Sequence, residues 1–287
     1  MTVIPYILPT DFIMGAFWQL VHNHLGNRAS IFGMYSFQGW WYYFPVAFAL
    51  KVPVPFLVLS VTSLGWCGYQ SFVNRDRRCC LLLTSFAIYM ILMMVTRINI
   101  GIRYFLPAYP LLFILGGAVL NLLARSRYAR PLGILTTVSV MTWMAAEAVL
   151  TYPDYMSYMN QITAGRPHWR YLADSNVEWG DDVRGLAEYL HARGEKSVQA
   201  ALIGGTTTLR YYGIEFINLI GAEETTLPKT RYVAIGASYL NGSTMTFARI
   251  RGKMLTEEQR INFFDSYRDR RPEAIIGGSI YVYHQDE

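Results

Sequence analysis

Charge is what this 287-residue sequence has least of: 16% of its residues are Asp, Glu, Lys or Arg, against roughly 25% in an ordinary soluble chain. The shortage is local. Residues 1–151 carry 10 Lys and Arg but only 3 Asp and Glu, whereas residues 152–287 carry 15 and 17. The net charge of +5 therefore divides into an oily, basic half and a polar, slightly acidic one, which excludes a single soluble domain. The basic residues of the first half stand between apolar runs and form no patch, so no nucleic-acid partner is expected. Cysteine is scarce as well. Cys67, Cys79 and Cys80 are the only three, and their placement excludes a disulfide framework or a cysteine metal site. The sequence also lacks a P-loop, a dinucleotide-binding fingerprint, HExxH and GxSxG. Its opening, MTVIPYILPTDF, has neither the basic region nor the cleavage site of a signal peptide.

What is present is long apolar runs. Val52–Val73, Cys79–Thr96, Tyr104–Ala124 and Pro131–Tyr152 are free of charge apart from Glu147, and each is about as long as a helix needs to cross a bilayer. Arg75, Arg77 and Arg78 join the first two, and Arg125, Arg127 and Arg130 join the last two. Retention of basic loops on the cytoplasmic side places residues 1–51, the loop Arg97–Arg103 and everything after Pro153 outside. The stretch Gly39-Trp-Trp-Tyr-Tyr-Phe-Pro45 suits an interfacial aromatic belt, and Pro45, Pro53 and Pro55 predict a broken helix where the first run begins.

From Tyr152 onward short strands alternate with amphipathic helices. Val183, Leu186, Ala187 and Leu190 recur at helical spacing behind Asp181 or Asp182 as a cap, with Gly194 as the stop. Ser197–Ile203, Tyr232–Ile235 and Ile280–Tyr283 read as strands. Thr256 and Gln259 form a capping box ahead of a helix that Pro272 should end. The expected fold class is a multi-pass α-helical membrane domain followed by a soluble extracytoplasmic α/β domain, residues 153–287, long enough to fold alone.

Three cations, Lys51, Arg97 and Arg103, fall at the outer edge of the runs, where a phosphate would pair with them or where they snorkel to headgroups. Gly101 between the two arginines is read as permitting a tight turn. The densest polar cluster is Asp174-Ser-Asn-Val-Glu-Trp-Gly-Asp-Asp182. Its carboxylates and indole suit a sugar, which offers hydroxyls and an apolar ring face. A divalent metal is the one candidate cofactor there, though the spacing is not that of a calcium loop. Helix capping, with Ser175 and Glu178 as a second box, is the plainer account. His22 and His24, two residues apart, do not share a helix face, and Gly204-Gly205 is weak as an anion cradle.

The segments GWWYYFPVAFALKVPVP (39–55), NIGIRYFLPAYPLLFILGG (99–117), YLADSNVEWGDDVRGLAEYL (171–190), YYGI (211–214) and IGGSIYVY (276–283) resemble the carboxy-terminal half of bacterial glycosyltransferase family 39 proteins. These are GT-C membrane enzymes similar to protein O-mannosyltransferases and the aminoarabinose transferase. The resemblance implies transfer of a sugar from a polyprenyl-phosphate carrier to an acceptor on the extracytoplasmic face. Lys51 and Arg103 then match candidate ligands of the carrier phosphate, with Arg97 beside them. Asp174, Asn176, Glu178, Trp179 and Asp181 match a sugar or acceptor element, with Glu178 and Asp181 standing where the family commonly has Asp and Gln. The family's presumed catalytic base is an acid in an earlier outer loop, so that base is expected to be absent and an amino-terminal half to be a partner. The alternative is a catalytically silent membrane module whose polar region binds glycan or protein.

Overall fold

The computed structural model describes residues 9–126, 130–223 and 228–285. The first eight residues, where the signal-peptide reading begins, and Arg127 of the second basic loop lie outside these.

Helix α1 (Thr10–Leu25) leads into a hairpin of β1 (Ala29–Ile31) and β2 (Met34–Ser36), followed by α2 (Tyr43–Lys51) and α3 (Val54–Phe72). The break between α2 and α3 is where the prolines predict it. Val52 is extended, Pro53 caps α3 and Pro55 lies in its first turn, where a missing N–H costs nothing. Helix α4 (Arg77–Val95) starts on Asp76, whose carboxylate accepts from the backbone N–H of Arg78 and Cys79. A 3₁₀ segment, Ile102–Ala108, runs directly into α5 (Tyr109–Arg125), and α6 is Arg130–Thr151.

Three helical stretches are long and apolar enough to cross a membrane: Arg77–Val95, Ile102–Arg125 and Arg130–Thr151. No more than 22% of any of their apolar windows is buried, so most of their apolar surface is exposed. Helix α3, which covers the first of the four expected runs, is 19 residues long and less apolar than these three, because Gly65, Trp66, Gly68, Tyr69, Gln70 and Ser71 dilute its second half.

The later part of the chain holds a five-stranded sheet in the order β4-β3-β5-β7-β6, built from β3 (Ser197–Ala201), β4 (Glu215–Asn218), β5 (Tyr232–Gly236), β6 (Ala274–Ile276) and β7 (Ile280–His284). Strand β3 is parallel to both β4 and β5, and β7 is antiparallel to β5 and β6. Period-two alternation covers both faces. Tyr232, Ala234, Ile280 and Val282 pack under α7 (Val183–His191), whose Val183, Leu186, Ala187 and Leu190 are all buried. Val233, Ile235, Tyr281 and Tyr283 face the other way.

That second face shares its core with the helical part of the chain. Its core is continuous with Tyr43, Phe44 and Phe48 of α2, Phe56 of α3 and Phe105 of the 3₁₀ segment, through Leu172 and Val177. The hairpin β1–β2, assigned from the sequence to an interfacial segment, also belongs to the sheet region. Ile31 bridges Leu172, Arg28 donates to the Met245 carbonyl at 2.7 Å, and Asn241 donates to Ser30 Oγ at 3.0 Å. The Thr256–Gln259 capping box is present at α8 (Glu257–Ile261). That helix ends well before Pro272, because Arg268 of α9 (Asp265–Arg268) folds back onto the carbonyls of Ile261 and Leu240.

Candidate functional site

The segment 174–182 is the joint between the helices and the sheet. Asn176 is fully buried and spends its side chain inside the protein: Nδ2 donates to the Tyr43 hydroxyl (2.7 Å) and the Ala173 carbonyl (3.1 Å), and Oδ1 accepts from the Ile102 N–H (2.9 Å). Ser175 Oγ donates to the Ile100 carbonyl at 2.8 Å. The loop carrying Arg103 is thereby clamped to this segment. Gly101 matters here for space, which corrects the tight-turn reading. Its backbone is extended (φ 175°), and a Cβ would overlap Ser175 Oγ.

Lys51, the last residue of α2, reaches the same joint. Its Nζ donates to the carbonyls of Met156 and Asn176, both at 2.7 Å. Burial lowers its pKa to about 7, and the charge of Asp181 pulls the other way. The end of α2 is itself pinned by Asn160, whose Nδ2 donates to the carbonyls of Ala49 and Val52 and whose N–H donates to that of Leu50.

Glu178 takes neither expected role. It is 1% exposed, and its two oxygens accept from the N–H of Ile203 and of Ser238, each at 3.0 Å. Those donors follow the carboxyl ends of β3 and β5. Between these two parallel strands the connections depart to opposite sides, which makes the crevice a topological switch point, the usual ligand position in open α/β sheets. In this chain its own carboxylate fills that crevice, and a Cβ on Gly236 would overlap the carboxylate. Glu178 and Asn176 therefore hold the joint from within and cannot reach a sugar. Asp182 is turned inward as well, accepting from the Ser279 hydroxyl, with no side-chain cap on α7. The capping account of this segment is thus replaced by long-range bonds.

Three members of the cluster stay at the surface. Trp179 is 51% exposed and Asp181 is exposed, while Asp174 is half-buried. Asp174 adopts φ 58°, a left-handed geometry uncommon outside glycine, and its Oδ1 accepts from the Ser175 N–H at 2.6 Å. Burial raises its pKa while the Arg103 charge opposes the rise. The Arg103 guanidinium lies 5.3 Å from the Trp179 ring centre and 5.4 Å from that of Tyr104, within cation–π range. Arg103 is exposed, and among the described residues no carboxylate stands within ion-pair distance of it. Arg97 does not join the cluster. It donates to the His24 carbonyl at 3.2 Å and its N–H to Asn23 Oδ1 at 2.9 Å, so it fastens the end of α1 instead.

No family model, no curated protein and no solved structure matches this chain. The reading of the site therefore rests on its geometry. Among the described residues no three His, Cys, Asp or Glu side chains gather as metal ligands. What the surface offers is an arginine with unspent donors, an indole and two carboxylates, which together can hold an anion beside a polyhydroxylated ring.

Sequence reasoning missed Tyr43, Asn160 and Ser238, which position the site from up to 133 residues away in the chain; no local pattern signals such partners. The buried carboxylate carries a pH signature. Burial raises the Glu178 pKa from 4.5 to about 7 despite its two N–H donors. A carboxyl whose folded pKa is raised contributes stability that is full below about 4.5 and lost as pH rises through about 7. The melting temperature of the parent minus that of Glu178→Gln should accordingly shrink as pH increases over this window. A difference constant with pH would refute the assignment.

Proposed function

We propose that this chain is the carboxy-terminal portion of a membrane glycosyltransferase that moves a sugar from a polyprenyl-phosphate carrier to an acceptor on the extracytoplasmic face. In this reading the apolar helices cross the bilayer with the sheet region outside, and Lys51 and Arg103 meet the carrier phosphate at the outer edge. The observation that carries it is the clamp of the Arg103 loop onto segment 174–182. It sets an exposed guanidinium beside Trp179, with Asp174 and Asp181 on the same segment.

The chemistry follows from charge. As a glycosyl–phosphate bond breaks, negative charge grows on the departing phosphate, and a preorganised guanidinium stabilises it. Trp179 offers an exposed ring face for the sugar, and Asp174 and Asp181 accept from its hydroxyls. Glu178 and Asn176 act one step back, by holding that surface in place. No divalent metal is assigned a step.

Oriented vesicles test the reading. The chain should retain a radiolabelled polyprenyl-phosphate sugar and release it to excess unlabelled carrier, and should transfer label to an acceptor only when an amino-terminal half carrying the catalytic base is supplied. A membrane-impermeant amine reagent should modify Lys229 and Lys253 only from the outer face. Modification from the cytoplasmic face alone, or no retention of donor, would overturn the proposal.

A further inference from the structure

A cavity of about 200 Å³ opens beside the site, lined by Lys51, Pro53, Met144, Glu147, Tyr155 and Tyr158 among others. It lies at the last two turns of α6 and the first residues of α3, where two tyrosines mark the level at which amphipathic rings meet headgroups. Its volume is that of roughly half a dozen waters, at about 30 Å³ each, so it suits a small headgroup rather than a glycan chain.

Its walls carry one cation and one anion that do not pair. The Glu147 carboxylate accepts from Trp143 Nε1 and from the Tyr158 hydroxyl, each at 2.9 Å, and from Gln161 Nε2. All three donors are neutral, and no cation among the described residues is within ion-pair distance of it. A carboxylate has about four acceptor positions, so one is unspent. Lys51 gives two protons to backbone carbonyls; a protonated ammonium has three. Each charge therefore keeps one hydrogen-bonding position for something else in this partly apolar, open cavity.

We propose that this cavity holds a zwitterionic phosphate-ester headgroup, its phosphate on Lys51 and its primary ammonium on Glu147. The phosphate half rests on the function proposed above; Glu147 as the ammonium ligand is new. A bilayer phosphoethanolamine lipid offers this chemistry. No covalent step is involved.

Calorimetry on the full chain in detergent, with O-phosphoethanolamine, its N-acetylated form and inorganic phosphate as probes, tests the pairing. O-phosphoethanolamine should bind at least tenfold more tightly than the other two. Glu147→Gln should abolish that preference while keeping phosphate binding, which also reports that the variant is folded. Equal affinity for the three probes, or a preference that survives Glu147→Gln, overturns the proposal. Failure of the underlying Lys51 assignment looks different: inorganic phosphate would bind Lys51→Met as well as the parent. Native mass spectrometry from vesicles of mixed phosphatidylethanolamine and phosphatidylglycerol tests the lipid itself. Selective retention of phosphatidylethanolamine that is lost in Glu147→Gln supports the proposal, and equal retention of the two lipids overturns it.

Discussion

Glu178→Ala should destabilise the folded chain by about 2–6 kcal/mol, because it strands two buried N–H donors, those of Ile203 and Ser238, at roughly 1–3 kcal/mol each. Gly236→Ala should be harmful for the complementary reason. The backbone at Gly236 is in the ordinary extended region (φ −69°, ψ 149°), so the residue is glycine for space alone, and a methyl there would overlap the Glu178 carboxylate. The two substitutions must then be non-additive. In a Glu178→Ala background the methyl has room, and the further cost of Gly236→Ala should fall below about 0.5 kcal/mol, the usual scatter for independent sites. Urea unfolding of the four proteins measures the coupling. Additive costs would mean that Glu178 does not occupy the crevice between β3 and β5.

Arg103→Ala should weaken retention of a radiolabelled polyprenyl-phosphate sugar roughly 30- to 700-fold, equivalent to about 2–4 kcal/mol, the scale of a lost charge-assisted contact. Arg103→Lys keeps the charge and loses the planar fork, so its loss should be intermediate. Stability is the control. Arg103 is exposed and packs on Trp179 and Tyr104 without an ion pair, so neither variant should shift the unfolding midpoint appreciably. Arg97→Ala gives the contrast, since its guanidinium bonds the His24 carbonyl away from this surface, and donor retention should be unchanged. Retention unaffected by Arg103→Ala would remove this residue from the site.

Periodic features were legible without coordinates. Three of the four apolar runs correspond to helices long and apolar enough to cross a membrane, the stripe Val183–Leu190 is the buried face of α7, and the strands around Val198, Val233 and Val282 form the sheet centre. Such patterns are local, and burial of a face or a run requires them whatever lies opposite. The cluster 174–182 was also visible as a concentration of polar groups, yet its division of labour was not. Glu178 and Asp181 are three residues apart and chemically alike, but one plugs a crevice and the other faces water. Only the placement of β3 beside β5 brings Ile203 and Ser238 together to bind the first.

The same reason accounts for the other corrections. A hairpin near the amino terminus packs on Leu172 and Asn241, and the core runs unbroken from α2 to the sheet, because residues distant in sequence found each other. The order of amino acids by itself determined which stretches are oily, which face of each element is apolar and where charge collects. The tertiary structure alone decided which charges are spent on the backbone and which remain for a ligand, since a hydrogen bond is settled by proximity in space and leaves no period in the chain.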